Sequence, residues 1–440
     1  MKKRTKVIAA TIITVVPLLG IAAVGLYALP ISFSGKSVDI PEQLAADTIL
    51  TAEQVEEDRD RAISYMEEVH PYFILEENQS GYQMAKENYI QATASEMTVR
   101  DLQAATAEYL CFFQDGHTRL RWTEEEYVDV RSTYQDGKTY VVKDGEITDV
   151  YIESYGGIEV ETIYEAIDKM FPAENEMAQA INRYNYVDGK NFLSFVGAET
   201  IEDKISVVFS DGTEGVFGFY NPSQAATAST EEEYFGNSWY MDGDIFVVDF
   251  NTCSDDEQLK EIASVLSKKV EEGCTKVIID ARENGGGSSN ACERLLKSMG
   301  MKAPQYDMVI RYSKEAKEQR GYLRSNGMYR WKSKSDGKPN ENIDLVVLCD
   351  RYTFSSATML CVYVRDGKLG TIIGEPSSNT PSMYGDILYF ALPNSHIYGT
   401  VSHKKFVRPD ETNDEHMLIL DIQTSAEDAY EAAVEYLGGY

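Results

Sequence analysis

Two short stretches combine residues able to do chemistry with turn-formers that would expose them. In Asp280-Ala281-Arg282-Glu283-Asn284-Gly285-Gly286-Gly287 a hydrophobic run ends in consecutive glycines. Glycine reaches positive φ without a Cβ penalty, so such a turn can aim backbone N–H groups at a phosphate or at the oxyanion of a tetrahedral intermediate. The same residues also suit a plain strand-to-helix turn. In Asp350-Arg351-Tyr352-Thr353-Phe354-Ser355-Ser356-Ala357 a second hydrophobic run meets a helix start. A serine there can stand at the edge of a sheet beside the free N–H groups and positive end of a helix. Ser355 and Ser356 equally suit the capping of that helix. A nucleophilic serine needs a base. The chain has 5 histidines, at positions 70, 117, 396, 403 and 416. His117 follows the turn residues Asp115-Gly116, a setting that also fits an ordinary surface or core histidine.

The surrounding sequence shows which elements must position these turns. Apolar runs at 245–250, 276–279, 345–348 and 371–373 read as buried strands. Between them, Leu259, Ile262, Ala263, Leu266 and Val270 form a helical stripe behind a Ser254/Glu257 cap, and helices are expected over 288–299 and 355–364. Short strands alternating with helices predict βαβ units and a mostly parallel sheet. Residues 386–392 add a strand that pairs elsewhere. Upstream, 51–122 reads as a helical region. Thr51 with Gln54 and Thr98 with Asp101 mark helix starts, and a further helix falls near 81–94. Residues 123–220 alternate short strands with Asp-Gly and Gly-Gly turns around one helix at 160–170, an α+β module. A linker at 221–233 separates it from an α/β core at 234–440.

Composition limits the partners. Lys plus Arg number 41 against 72 Asp plus Glu, a formal charge of -31, which argues against nucleic acid. With 43% hydrophobic and 26% charged residues the 440-residue chain is globular and long enough for two or three domains. Positive charge dominates only in the cytoplasmic-type basic segment 1–6, through Lys2, Lys3, Arg4 and Lys6. Residues 7–30 then carry no charge, which predicts a transmembrane signal anchor, a cleaved signal peptide or a buried helix. Residues 31–50 read as a stalk. The catalytic region is accordingly expected outside the cytoplasm, membrane-anchored or secreted. The 6 cysteines are irregularly spaced and read as small buried hydrophobes. None has zinc-knuckle spacing, and neither a metal nor a cofactor is expected.

Taken in order, the motifs resemble those of the tail-specific, or C-terminal processing, family of serine peptidases and their tricorn-like relatives. Asp115-Gly116-His117-Thr118 is similar to the family's D-G-H-T segment, and Asp280 to Gly287 to its D-L-R-x-N-x-G-G turn. Thr353-Phe354-Ser355-Ser356-Ala357 with Ile373-Gly374-Glu375-Pro376 resembles T-x-S-A-(S/A)-E … G-E-P. The resemblance implies a ClpP/crotonase-like α/β core, an N-terminal helical region, and a degenerate PDZ-like or α+β middle module that binds peptide ends or serves as a spacer. It makes Ser355 the nucleophile and places the oxyanion donors at Ser356 and Gly286, with Gly287 as the other possibility. Members with a Ser/Lys dyad carry a lysine where this chain has Thr380, and no lysine lies between Gly374 and Tyr384. The Ser-His-acid branch instead matches His117 to the base and puts a glutamate about sixty residues beyond the serine. Glu415 falls there, with Asp410 as the alternative acid. The implied function is hydrolysis of peptide bonds in protein or peptide substrates. A non-catalytic binding protein on the same scaffold is the competing reading.

Overall fold

The structure is a computed structural model, and it describes residues 30, 32–75, 79–222, 236–333, 336–413 and 416–438. The expected anchor at 7–30 falls outside these residues but for its last position, as does most of the linker at 221–233. Among the described residues no helix is long and apolar enough to cross a membrane.

Helices α1 (Ala52–Val69), α2 (Gln79–Ala92) and α3 (Val99–Cys111) form the N-terminal region. At the starts of α1 and α3 the expected capping boxes are formed: Thr51 and Gln54 bond reciprocally, as do Thr98 and Asp101. The stretch read as a stalk does not stand free. Phe33 N–H donates to Gly321 O at 2.9 Å and Lys36 N–H to Glu318 O at 2.8 Å, because an unpaired backbone lying on the core gains by bonding to it. After α3 comes β1 (Arg119–Leu120), then the middle module. Its strands β2 (Ser132–Gln135), β3 (Lys138–Lys143), β4 (Glu146–Tyr155), β5 (Lys204–Phe209) and β6 (Glu214–Phe217) follow the order β6-β5-β4-β3-β2, all antiparallel. Helices α4 (Val160–Met170) and α5 (Glu176–Tyr186) pack within this module.

The α/β core begins with β7 (Ser238–Asp242) and β8 (Ile245–Asp249). It continues through α6 (Glu257–Glu271), β9 (Lys276–Asp280), α7 (Ser289–Ser298), β10 (Asp307–Arg311) and β11 (Met328–Trp331). Next come β12 (Asp344–Cys349), α8 (Ser356–Asp366), β13 (Thr371–Gly374), β14 (Met383–Ala391), β15 (Tyr398–Val407), β16 (Ile422–Gln423) and α9 (Ala429–Tyr436). One sheet runs β7-β8-β9-β12-β13-β16, parallel except at β7. All four apolar runs read as strands therefore lie side by side in a single sheet. Both of its faces are covered: Phe246 and Val248 pack with Leu259, Leu295 and Leu360 of α6 to α8, while Ile245 and Val247 pack with Ala429 and Ala433 of α9. Helix α6 is capped by Asp256 rather than Ser254, its carboxylate accepting from Leu259 N–H at 2.9 Å.

A second sheet, β11-β10-β15-β14, takes up the strand expected near 386–392, and β1 joins it at Gly399 and Thr400. Its residues Ile310, Leu388, Phe390 and Val401 share one apolar cluster with α1, α3 and the middle module. That cluster carries the N-terminal half of the chain onto the core.

Candidate active site

Strands β9 and β12 are neighbours in parallel register, with Asp280 opposite Leu348, so the turns that leave their C-terminal ends lie together. Phe354 N–H donates to Asn284 O at 2.9 Å, and Ser356 Oγ donates to Gly287 O at 2.9 Å. Ser355 closes its turn at φ 55°, ψ −121°, directly before α8, and its side chain makes no capping bond. A non-glycine residue at positive φ is held there by its surroundings. Here the surroundings are the Asn379 amide, which accepts Ser355 N–H at 2.5 Å, and Gly286. A Cβ on Gly286 would stand 2.7 Å from Ser355 Cβ, a closeness only glycine permits.

His117 arrives from the opposite side. Thr400 Oγ1 bonds to His117 O at 2.7 Å, and β1 pairs with β15 just beyond. The imidazole lies against the ring of Phe354, centroids 4.5 Å apart, and His117 and Ser355 line one cleft of about 630 Å³. Both ring nitrogens of His117 are buried and, among the described residues, neither has a hydrogen-bond partner. The nearest carboxylate oxygen is Asp115 Oδ1, 3.7 Å from Nδ1, beyond hydrogen-bond reach but close enough for a charge to act.

Asp115 is fully enclosed. It accepts from His117 N–H at 2.9 Å and Thr118 Oγ1 at 2.6 Å, and His70 Nε2 lies 3.2 Å away. Burial alone would raise its pKa, yet the two imidazoles flanking it hold the carboxyl well below its ordinary range. Glu174 approaches from the middle module, in the segment joining α4 to α5. Its carboxylate accepts from Gly116 N–H at 3.0 Å, Asn379 Nδ2 at 2.8 Å, and Thr380 N–H and Oγ1, both at 2.9 Å. Burial first, and then the charge of Asp115, push Glu174 upward against these donors. Thr380, standing where a dyad lysine would be, is thus a ligand of Glu174. Neither carboxylate was given a role by sequence reasoning. Asp115 was visible inside its motif; Glu174 carried no signal, since its partners lie 58 and 206 residues away. Asp115, His117 and Glu174 offer one ligand atom each within 4.8 Å of one another, an arrangement able to hold a metal ion. The carboxylate oxygens already accept the donors just named, so they fit that role poorly.

Other expected residues fall differently. Gly286 N–H is taken by Asn284 Oδ1 at 2.9 Å, which removes it as a free donor. Gly287 lines the cleft instead, and among the described residues its N–H has no partner, nor has that of Ser356 at the start of α8. Asp410 lies at the other end of α8, where its N–H donates to Asp366 Oδ2 at 3.0 Å beside the buried Arg408–Asp366 ion pair. That helix is 11 residues long, which puts Asp410 about 15 Å from Ser355 and excludes it from the cleft. Glu415 lies outside the described residues. His70 and His403 are buried on other partners, and His396 bonds to Glu42 O. Cys253, Cys292, Cys349 and Cys361 are buried free thiols, and Cys111 and Cys274 are half-buried.

Residues 243–422 match the family model described as Peptidase family S41. No curated protein sequence matches the chain. Among solved structures, mature CPAF superposes with a TM-score of 0.57 at 12% identity, covering 88% of this chain and 96% of its own. Mature CPAF complexed with lactacystin gives 0.57 at 12%, over 88% and 98%. The photosystem II D1 C-terminal processing protease gives 0.44 at 16%, over 88% and 98%, too weak a likeness to argue from. At such identities the CPAF structures establish a shared fold. Together with the motif order, the match over residues 243–422 makes this part of the chain similar to peptidase family S41.

Proposed function

We propose that this protein is a serine endopeptidase whose nucleophile is Ser355 and whose base is His117. One observation carries the reading: a serine held at positive φ on a helix N-terminus shares a cleft with an imidazole whose nitrogens are unpartnered. Ser355 Oγ bonds to the peptide carbonyl carbon as His117 takes its proton. The imidazolium then protonates the leaving amine as the C–N bond breaks, and water, activated by the same imidazole, hydrolyses the acyl ester. Developing negative charge on the carbonyl oxygen is met by the N–H groups of Ser356 and Gly287, in place of Gly286. Asp115 is the carboxylate that steadies the imidazolium, at a separation that tightens once substrate excludes water. Glu174 and Asn379 act as positioning residues, bracing the histidine and serine turns against each other. Glu415 is the competing acid.

Substrates are proteins or peptides outside the cytoplasm, on the strength of the basic segment and the uncharged run at 7–30. A fluorophosphonate probe tests the chemistry: the wild type is labelled on Ser355, and Ser355→Ala is not. Folded wild-type protein that resists the probe would favour the binding-protein reading.

A further inference from the structure

The cleft wall runs against the net charge of the chain. In a chain of net charge -31 its wall contains three arginines, at 119, 121 and 320. Arg320 is occupied: it pairs with Asp386 at 2.7 Å and bonds to Ile387 O at 2.5 Å. Lys404 shares the same carboxylate at 2.5 Å, so both cations of that corner are already committed to Asp386. Arg119 and Arg121 are different. Both are exposed, and among the described residues neither guanidinium has an ion-pair partner.

Their backbones are nevertheless rigid. Arg119 is paired with Thr400 in the second sheet, Arg121 N–H donates to Tyr398 O at 2.9 Å, and Arg121 O accepts from Gln103 Nε2 at 2.9 Å. Two residues apart on extended chain, they present side chains to one face, while Leu120 between them is buried on the other. Both lie near Tyr186 of α5, where their charges oppose the effect of burial on its phenol. Tyr186, Trp122, Tyr389 and Tyr398 supply aromatic walls for the same cleft. The strand leads directly from His117, so at ~3.3 Å per residue the arginines stand about 7 and 13 Å from the base.

We propose that the cleft selects peptides bearing an aspartate or glutamate two to four residues from the scissile bond, its carboxylate received by Arg119 and Arg121. The substrate runs extended along residues 117–121. An acidic side chain there meets the only unpaired positive charges of the cleft among the described residues, whereas a protein of this net charge repels acidic peptides elsewhere on its surface. Placing the scissile bond rests on Ser355 and His117 being the reacting pair. Recognition of the acidic side chain does not.

The test therefore uses Ser355→Ala protein and fluorescein-labelled decapeptides differing only in one Glu, Gln or Lys, followed by fluorescence anisotropy. The Glu peptide is expected to bind about tenfold more tightly than the Gln peptide in 50 mM salt, and the margin should fall to about twofold in 500 mM. Adding Arg119→Ala with Arg121→Ala should erase the preference, and adding Arg119→Glu with Arg121→Glu should turn it toward the Lys peptide, each protein's melting temperature verifying its fold. Equal binding of the Glu and Gln peptides, no binding of either, or a preference surviving in the double alanine protein would each overturn the inference. Fluorophosphonate labelling of the wild type, run alongside, reports on the catalytic reading alone.

Discussion

Gly286→Ala is the perturbation whose outcome the geometry constrains most tightly. The residue sits at φ 97°, and an added Cβ would lie 2.7 Å from both Phe354 O and Ser355 Cβ and 3.0 Å from Ser356 N. Ordinary contact begins at 3.4 Å, so something must yield by about 0.7 Å. None of these neighbours is the tip of a flexible side chain. Nor is the glycine turn free to retreat, since Cys253 N–H donates to Gly286 O at 3.1 Å and Cys253 O accepts Ser288 N–H at 2.7 Å. The turn carrying Ser355 is what moves. Holding alanine at this φ costs about 1–3 kcal/mol, a modest loss for a core of this size. Displacing a nucleophile by roughly 1 Å costs about a hundredfold in rate. The expected result is a folded protein whose fluorophosphonate labelling and peptide hydrolysis both fall 10- to 100-fold or so. Gly285→Ala is the matched control: its Cβ would meet nothing within 4 Å, and it should label like the wild type. Gly286→Ala protein that labels within about twofold of wild type would refute the reasoning, because the close approach of the two turns would then have no bearing on the serine.

Three other outcomes follow from the same structure. His117→Ala should lower kcat by several orders of magnitude with little change in melting temperature, whereas Asp410→Ala, at the far end of α8, should leave kcat near wild type; parallel peptidase assays decide both. Glu174→Gln turns one acceptor into an N–H donor facing a site that already presents four donors, so melting should reveal about 1–3 kcal/mol lost and labelling should slow at least ~10-fold. Burial, with help from the charge of Glu124, pushes the Asp188 carboxyl up to about 7. Its folded pKa thus exceeds its unfolded one, so stability is full below about pH 4 and declines as pH rises toward 7. Asp188→Asn should therefore raise stability at pH 8, by on the order of 2 kcal/mol after allowing for partial exposure, and change little at pH 4, as paired calorimetric scans would reveal.

Features that depend on near neighbours along the chain were legible before folding was considered. Strands β8, β9, β12 and β13 were legible because a strand buried on both faces must be continuously apolar, and four such runs separated by helical stripes leave few arrangements other than one parallel sheet. The caps at Thr51 and Thr98 were legible because a capping box joins residues three apart. The cap of α6 was misjudged within a single turn, where Ser254 and Asp256 both have the right chemistry and only the exit path from β8 decides between them. The two chemical turns and His117 could be named from their motifs. What they touch could not. That Gly286 spends its N–H on Asn284, that Asp410 is carried away by α8, and that Thr380 meets a carboxylate from the middle module are consequences of where rigid elements come to rest after packing. Glu174 reaches the imidazole's neighbourhood for the same reason, whereas Asp115 stands only two residues from His117 along the chain. A buried carboxylate takes its donors from whichever backbone the fold brings within 3 Å, and sequence separation sets no limit on that distance once apolar burial has paid the entropy of closing the loop.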